Sequence, residues 1–416
     1  MSRPAAAVNR VIKAYDVRGL VGEEIDEQFV TEVGGAFARL VRDEGADRVT
    51  IGYDMRDSSP SLAAAFADGV VAQGLDVTRI GLASTDQLYF ASGLLDCPGA
   101  MFTASHNPAA YNGIKLCRAG AKPVGKDSGL TTISDEVIAG VPTFDGTPGT
   151  IDDRDVLADY GDFLRSLVDI SALRPLRVAV DAGNGMGGHT TPAVLGPLTS
   201  ITLLPLFFEL DGTFPNHEAN PLDPANLVDL QRHVVDSKAD IGLAFDGDAD
   251  RCFVVDERGR PVSPSAVTAL VAGRELGREI GATVIHNLIT SRAVPELIVE
   301  RGGTALRSRV GHSYIKALMA ESGATRMPEH LSTEIAMSRR TVPSAVRPTD
   351  SREVTVRLDQ PLAATLEHVE LAAVQRALAL HGGNLEGAAK ALGLTRKGLY
   401  LKRQRYGLEF RRESDT

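Results

Sequence analysis

The 416-residue sequence carries a formal net charge of −10, has 43% hydrophobic residues and contains three cysteines. That length allows two to four domains with a core each, and no stretch approaches the ~18 uninterrupted apolar residues of a membrane span. Cys97, Cys117 and Cys252 lie too far apart for a zinc pair or a disulfide framework, and "MSRPAAAVNRVIKAYDV" lacks the apolar core of a leader, so the expectation is a soluble, cytoplasmic protein of a reducing compartment.

In chain order, "RVTIGYD" predicts a strand, "SPSLAAAFADGVVAQG" a helix and "VTRIGL" the next strand. The cycle returns in "LRVAVDAGNGMGG" and "ADIGLAF", then in "ATVIHNLIT" followed by "SRAVPELIVERGG". Strands alternating with helices of this length imply βαβ units and largely parallel sheets, here three successive α/β domains over residues 1–150, 151–258 and 259–325. The Gly-, Pro- and Asp-rich "IAGVPTFDGTPGTIDD" reads as the linker between the first two. Residues 326–361 hold Pro328, Pro343, Pro348 and Pro361 without a sustained period, which predicts a connector. Helical periodicity resumes over 362–416, where Leu366, Val369, Ala373, Val374, Ala377 and Leu378 share one face and Gly382–Gly383 end the helix. This tail is basic: residues 327–416 carry +3 against −13 for the first 326, a balance that points to an anionic partner such as nucleic acid.

Two stretches could carry chemistry. In "TASHNPAAYNGIK", Ser105 follows a short apolar run and precedes His106, Asn107 and Pro108. A hydroxyl is a poor nucleophile unless a neighbour activates it or it already bears the group to be transferred. His106 and Lys115 are near enough to carry protons or face a phosphate, although a polar strand-to-helix turn with Ser and Asn as caps would read the same way. In "AFDGDADRCFVVDE", Asp246, Asp248 and Asp250 alternate with Gly247 and Ala249. Three hard oxygen ligands on one loop suit Mg²⁺ or Ca²⁺, against the alternative of solvated turn carboxylates. A calcium EF-hand loop is excluded, because Arg251 stands where that loop needs glycine and the flanks read as strands. Arg18 and Arg251 are weaker individually, and "DAGNGMGG" fits a tight turn better than a phosphate loop.

"AYDVRG", "TASHNPAAYNGIK", "DGTFPNHEANP", "DGDADR" and "VGHSYIK", in this order, resemble the α-D-phosphohexomutases, in their bacterial phosphomannomutase/phosphoglucomutase branch, over residues 9–325. The resemblance implies mixed-sheet α/β domains around a cleft and a phosphate moved between C1 and C6 of a hexose (mannose or glucose 1- or 6-phosphate) through a phosphoserine and a bisphosphate. It makes Ser105 the phosphoserine and puts Mg²⁺ on Asp246, Asp248 and Asp250 together with a phosphoserine oxygen. It also brings Arg18, Arg251, His106 and Lys115 to the transferring phosphate and His312 to the substrate. The family's sugar-recognition loop is expected just after "MAESGATR", where the chain reads "MPEHLSTE", and its phosphate-gripping fourth domain is expected to be absent, at a cost to turnover.

"GGNLEGAAKALGLTRKGLYLKRQRYGL" resembles instead the Fis-type helix-turn-helix of bacterial enhancer-binding activators, with Ala389, Gly393 and Leu399 at that motif's spacing. This implies double-stranded DNA as partner, Thr395 as N-cap of the recognition helix, and Arg396, Lys397, Tyr400, Lys402 and Arg403 as contacts. It also implies a homodimer through the helix around 366–380. The functional alternatives are a sugar-phosphate-responsive DNA-binding regulator and a fusion without joint function.

Overall fold

A computed structural model describes residues 3–169 and 173–310, and beyond them only 315, 318, 319, 374, 377, 378, 381, 385–392 and 399. His312, Thr395, Arg396, Lys397, Tyr400, Lys402 and Arg403 lie outside the described residues. The chain divides into two units, 1–341 and 342–416.

The first domain runs α1 (Ala5–Val11), β1 (Val17–Leu20), α2 (Glu27–Asp43), β2 (Arg48–Tyr53), α3 (Ser59–Val71), β3 (Asp76–Leu82), α4 (Thr85–Leu95), β4 (Gly99–Phe102), β5 (Tyr111–Arg118), β6 (Lys122–Pro123), α5 (Leu130–Ala139) and β7 (Ile151–Asp153). Local signals set the helix starts. The Asp26 carboxylate accepts from the Phe29 amide at the head of α2, and the Ser84 hydroxyl from the Gln87 amide at the head of α4, each satisfying a donor the helix leaves open. Along α2, Phe29, Val30, Val33, Phe37 and Val41 fall on one buried stripe, as a 3.6-residue period requires.

The sheet order is β1-β5-β4-β2-β3-β7, with β6 off β5. β4, β2, β3 and β7 run parallel, but β5 pairs antiparallel with both β4 and β1, so the sheet is mixed, as the resemblance implies, and not largely parallel as the alternation of strands and helices alone suggests. The segment expected to be a linker also contributes β7. Residues 151–153 pair with β3, and Arg79 grips Asp153 through two hydrogen bonds of 2.8 and 2.9 Å.

The second domain runs α6 (Leu157–Ser166), β8 (Leu176–Asp181), α7 (Gly187–Leu195), β9 (Ile201–Leu206), α8 (Val228–Ser237), β10 (Ile241–Phe245), β11 (Cys252–Asp256) and β12 (Pro261–Val262). Its sheet order is β12-β11-β10-β8-β9. "DAGNGMGG" is the expected tight turn, leading from β8 into α7 with Gly183 and Asn184 both at positive φ. α6 joins the two domains: Val156 and Tyr160 are buried with Ile80, Leu88, Phe90 and Met101 in one apolar cluster. The third domain follows with α9 (Pro264–Arg278), β13 (Thr283–Asn287), α10 (Ala293–Glu300) and β14 (Thr304–Ser308), its two strands parallel.

In the second unit, α11 (Leu385–Ala391) contributes Ala388 and Ala389 to a small core with Val374, Ala377, Leu378 and Leu399. Ala389 and Leu399 thus hold the inward positions their spacing predicts. Val374, Ala377 and Leu378, on the face expected to form a dimer seam, are already covered by the chain itself. Among the described residues, no helix is long and apolar enough to cross a membrane.

Glycines set how closely α2 and α3 pack. A Cβ on Gly69 would lie 2.1 Å from the Thr31 carbonyl oxygen, and one on Gly34 would lie 2.4 Å from that of Phe66. Gly69→Ala is therefore expected to destabilise the first domain by about 1–3 kcal/mol. Gly277→Ala, with nothing within 4 Å of the new methyl, should be neutral or stabilising by up to about 1 kcal/mol. Urea unfolding of the two variants checks both signs.

Candidate active site

Ser105 stands in the turn between β4 and β5, so the polar turn leads from strand to strand rather than from strand to helix. Its backbone is left-handed, with φ +50°, and so is that of Ala249 at +57°. Non-glycine residues reach this region at a cost of about 1–2 kcal/mol, and such strain gathers where surrounding contacts over-determine the backbone. The Thr103 hydroxyl accepts from the Ser105 amide at 2.9 Å.

The aspartate loop joins β10 to β11, an antiparallel pair. It meets the serine turn with no room to spare, since a Cβ on Gly247 would lie 2.3 Å from the Ser105 carbonyl oxygen. Glycine between the first two aspartates is thus a packing requirement. Ser105 Oγ donates to Asp246 Oδ2 at 2.7 Å and accepts from Arg251 Nη2 at 2.9 Å. Arg251 also donates to Asp246 Oδ2, 2.5 Å from Nη2, and to His106 Nδ1 at 2.7 Å. A guanidinium can only donate, so Nδ1 of His106 is the accepting nitrogen and its proton sits on Nε2. Burial, then Arg251 and Arg18, lower the ring's affinity for a second proton.

Asp246, Asp248 and Asp250 each offer a ligand oxygen within 4.8 Å of the others. Lys115 Nζ donates to Asp248 Oδ2 at 2.7 Å and to Asp250 Oδ2 at 2.6 Å. Burial disfavours the charged forms throughout. At Asp248 the Lys115 ammonium outweighs burial and holds the carboxyl below its usual range. At Asp246 burial and the neighbouring Asp248 and Asp250 charges win over Arg251 and push the carboxyl well above it. Lys115 resists burial through Asp248 and Asp250 and keeps its proton well above the ordinary lysine range. Asp248 Oδ1 is buried and has no hydrogen-bond partner among the described residues. An unpartnered carboxylate oxygen beside two further hard donors fits a small divalent cation.

Arg18 comes from β1 and donates to the Ala104 carbonyl at 3.2 Å, to Asn107 Oδ1 at 2.6 Å and to Asp16 Oδ2 at 2.7 Å, while its Nε is buried without a partner among the described residues. Ser105, His106, Lys115, Arg18, Arg251 and the three aspartates are therefore brought together. Thr85 also belongs to the site. It opens α4, and it meets Asp248 through its hydroxyl at 2.5 Å and through its amide to the Asp248 carbonyl at 3.1 Å. In sequence it reads only as a helix start.

A second polar latch lies nearby in "DGTFPNHEANP". His217 Nε2 faces Asp181 Oδ2 at 3.0 Å and Nδ1 faces the Glu218 carbonyl at 2.9 Å. Both ring nitrogens meet acceptors, so the imidazolium is the form that satisfies them.

Residues 9–140, 158–259 and 263–340 match the profiles described as phosphoglucomutase/phosphomannomutase alpha/beta/alpha domains I, II and III, and residues 365–406 match the bacterial regulatory protein, Fis family. The chain is 35% identical over 319 residues to a phosphomannomutase of Salmonella montevideo, covering 75% of this chain and 69% of that one. It is 36% identical over 324 residues to a phosphomannomutase/phosphoglucomutase of Pseudomonas putida, covering 77% and 68%. The crystal structure of a phosphoglucomutase/phosphomannomutase family protein from Burkholderia thailandensis superposes with a TM-score of 0.74 at 31% identity, over 82% of this chain and 76% of that chain.

The latch generates a pH dependence. Burial alone would strip the second proton from His217, but the bonds to Asp181 and Glu218 outweigh it and raise the ring's pKa. A raised folded-state value means stability fully present below about pH 6.5 and lost as pH rises through the folded pKa. The stability difference between wild type and His217→Gln should therefore be largest near about pH 6 and shrink toward about pH 9, as read from urea midpoints across that range.

Proposed function

The chain belongs to the phosphoglucomutase/phosphomannomutase family, and from that premise we propose that it moves a phosphoryl group between C1 and C6 of a hexose by way of a phosphoserine at Ser105 and a hexose bisphosphate. The observation that carries this reading is the Ser105 hydroxyl held between an acceptor, Asp246, and a cation, Arg251, at 2.7 and 2.9 Å. Phosphoryl transfer requires little covalent chemistry from a protein beyond positioning and stabilisation of the charge on the phosphoryl oxygens.

When a bisphosphate charges the free serine, the Oγ–P bond forms as the P–O bond to the sugar breaks, and Asp246 is in place to take the hydroxyl proton. Arg251 and the unpartnered Nε of Arg18 would meet the phosphoryl oxygens. Lys115 would pass a proton to or from the sugar oxygen, and His106 would hold Arg251 in line through its accepting Nδ1. Asp246, Asp248 and Asp250 would hold Mg²⁺ with a phosphoserine oxygen. Bound there, the ion supplies positive charge to the phosphoryl oxygens. His312 is assigned to the sugar. Mannose is favoured over glucose on resemblance alone.

The Fis-family match at 365–406 supports an appended module for double-stranded DNA, with Thr395, Arg396, Lys397, Tyr400, Lys402 and Arg403 as its contacts. It favours, as second reading, a regulator whose mutase-type body senses a sugar phosphate. Because the chain spans 69% of the Salmonella relative's length, phosphoryl transfer to Ser105 is expected to be more robust than full turnover.

A coupled assay on mannose 1-phosphate with Mg²⁺ and a trace of hexose 1,6-bisphosphate should give turnover. Ser105→Ala should lower it by more than about 1000-fold, chelation should abolish it, and removal of residues 362–416 should leave it intact. No turnover, together with salt-sensitive DNA binding that responds to sugar phosphate, would replace this reading with the regulator.

A further inference from the structure

Arg56 lies just after β2 in "YDMRDSS", a stretch that no motif marks, and its side chain is the largest fully buried one in the described protein, 1% exposed. A guanidinium has five N–H donors in a rigid fork, and all five of these are taken. Nη1 donates to the carbonyls of Pro108 and Tyr111 at 2.9 and 3.0 Å, and Nη2 to those of Ser105 and Asn107 at 2.9 and 2.7 Å. Nε donates to Asp54 Oδ2 at 3.2 Å. Asp54 is wholly buried and also accepts from the Arg56 amide at 3.1 Å and the Ser59 hydroxyl at 2.6 Å.

A buried arginine next to a phosphoryl site invites the role of phosphate ligand. The donor count excludes that role, because no N–H is left over, in contrast to Arg18 with its unpartnered Nε. Four of the five donors go instead to backbone oxygens within residues 105–111, the turn that carries Ser105. That turn needs such a hold, since Ser105 sits at φ +50° and its carbonyl is one of the four. The second domain closes over the same group. The Phe214 ring lies 5.2 Å from the guanidinium carbon, and a Cβ on Gly212 would lie 2.7 Å from the Arg56 Cα.

We infer that Arg56 is a positioning residue for the phosphoryl-carrying serine. It ties the carbonyls of the Ser105 turn to Asp54 on one side and to the Phe214 loop on the other, and so fixes where the Ser105 hydroxyl meets Asp246 and Arg251. The inference rests on the reading of Ser105 as phosphoryl carrier. Lysine at this position would keep the charge opposite Asp54 but could supply at most three donors from a single point, so it cannot span four carbonyls.

The test compares full-length wild type with Arg56→Lys and with the milder Asp54→Asn. Amide hydrogen exchange is followed in peptides covering 103–113 and, as reference, 228–245. Arg56→Lys should exchange at least about tenfold faster in the first segment, with the reference unchanged, and Asp54→Asn should show a smaller increase in the same place. Transfer of labelled phosphate from hexose 1,6-bisphosphate to Ser105 should slow by about 100-fold per folded molecule in Arg56→Lys, as a displacement near 1 Å produces. In Arg56→Gly, added guanidinium should restore part of that rate and ammonium should not. Unchanged exchange in the serine turn, or transfer that falls only with the folded fraction, overturns the inference. If wild type itself accepts no phosphate, the proposed function fails, while the exchange comparison still decides what Arg56 does.

Discussion

Three carboxylates with oxygens inside 4.8 Å of one another repel strongly in a site shielded from water. The two most buried of them, Asp246 and Asp248, have no solvent to relieve this. Three side chains from the first two domains bear on that repulsion. Lys115 comes from β5 to bridge Asp248 and Asp250, Arg251 folds back on Asp246, and Thr85 brings the start of α4 to Asp248. The charges are thus balanced by groups from both domains, and the aspartate loop cannot form its contacts without the first domain in place. Among the described residues, the buried Asp248 Oδ1 still has nothing to accept from.

Much of this was legible in the sequence, for physical reasons that can be stated element by element. β2, α3 and β3 follow from local composition, since "RVTIGYD" and "VTRIGL" are β-branched and "SPSLAAAFADGVV" is a helix former with proline in its first turn. The aspartate loop was legible because its ligands sit within five residues of chain. The strand order was not, because reversing β5 against β4 depends on long-range pairing that no local period encodes. β7 was hidden behind the glycines and prolines that precede it, and it forms an edge strand through pairing with β3 and the grip of Arg79.

The same distinction separates the site residues. Ser105, His106 and Lys115 share one motif and were found together. Thr85 and Arg56 act on partners 163 and about 50 residues away, and neither carries a local mark. An arginine flanked by aspartates reads as a surface ion pair, and its burial shows only when the turn at 105–111 folds onto it. In the C-terminal unit Ala389 was legible for the opposite reason: its spacing to Gly393 and Leu399 is a local pattern, and Ala389 and Leu399 are buried in one cluster.

The apolar cluster around α6 has one more consequence. Tyr160 and Phe163 of this helix lie against Phe90, with ring centroids 5.8 and 5.2 Å apart. On its other side, Arg165 donates to the carbonyls of Ala193 and Val194 at 2.6 and 3.0 Å. The helix is therefore a rivet through both plates, and prising Ser105 away from Asp246 would mean exposing those rings to water.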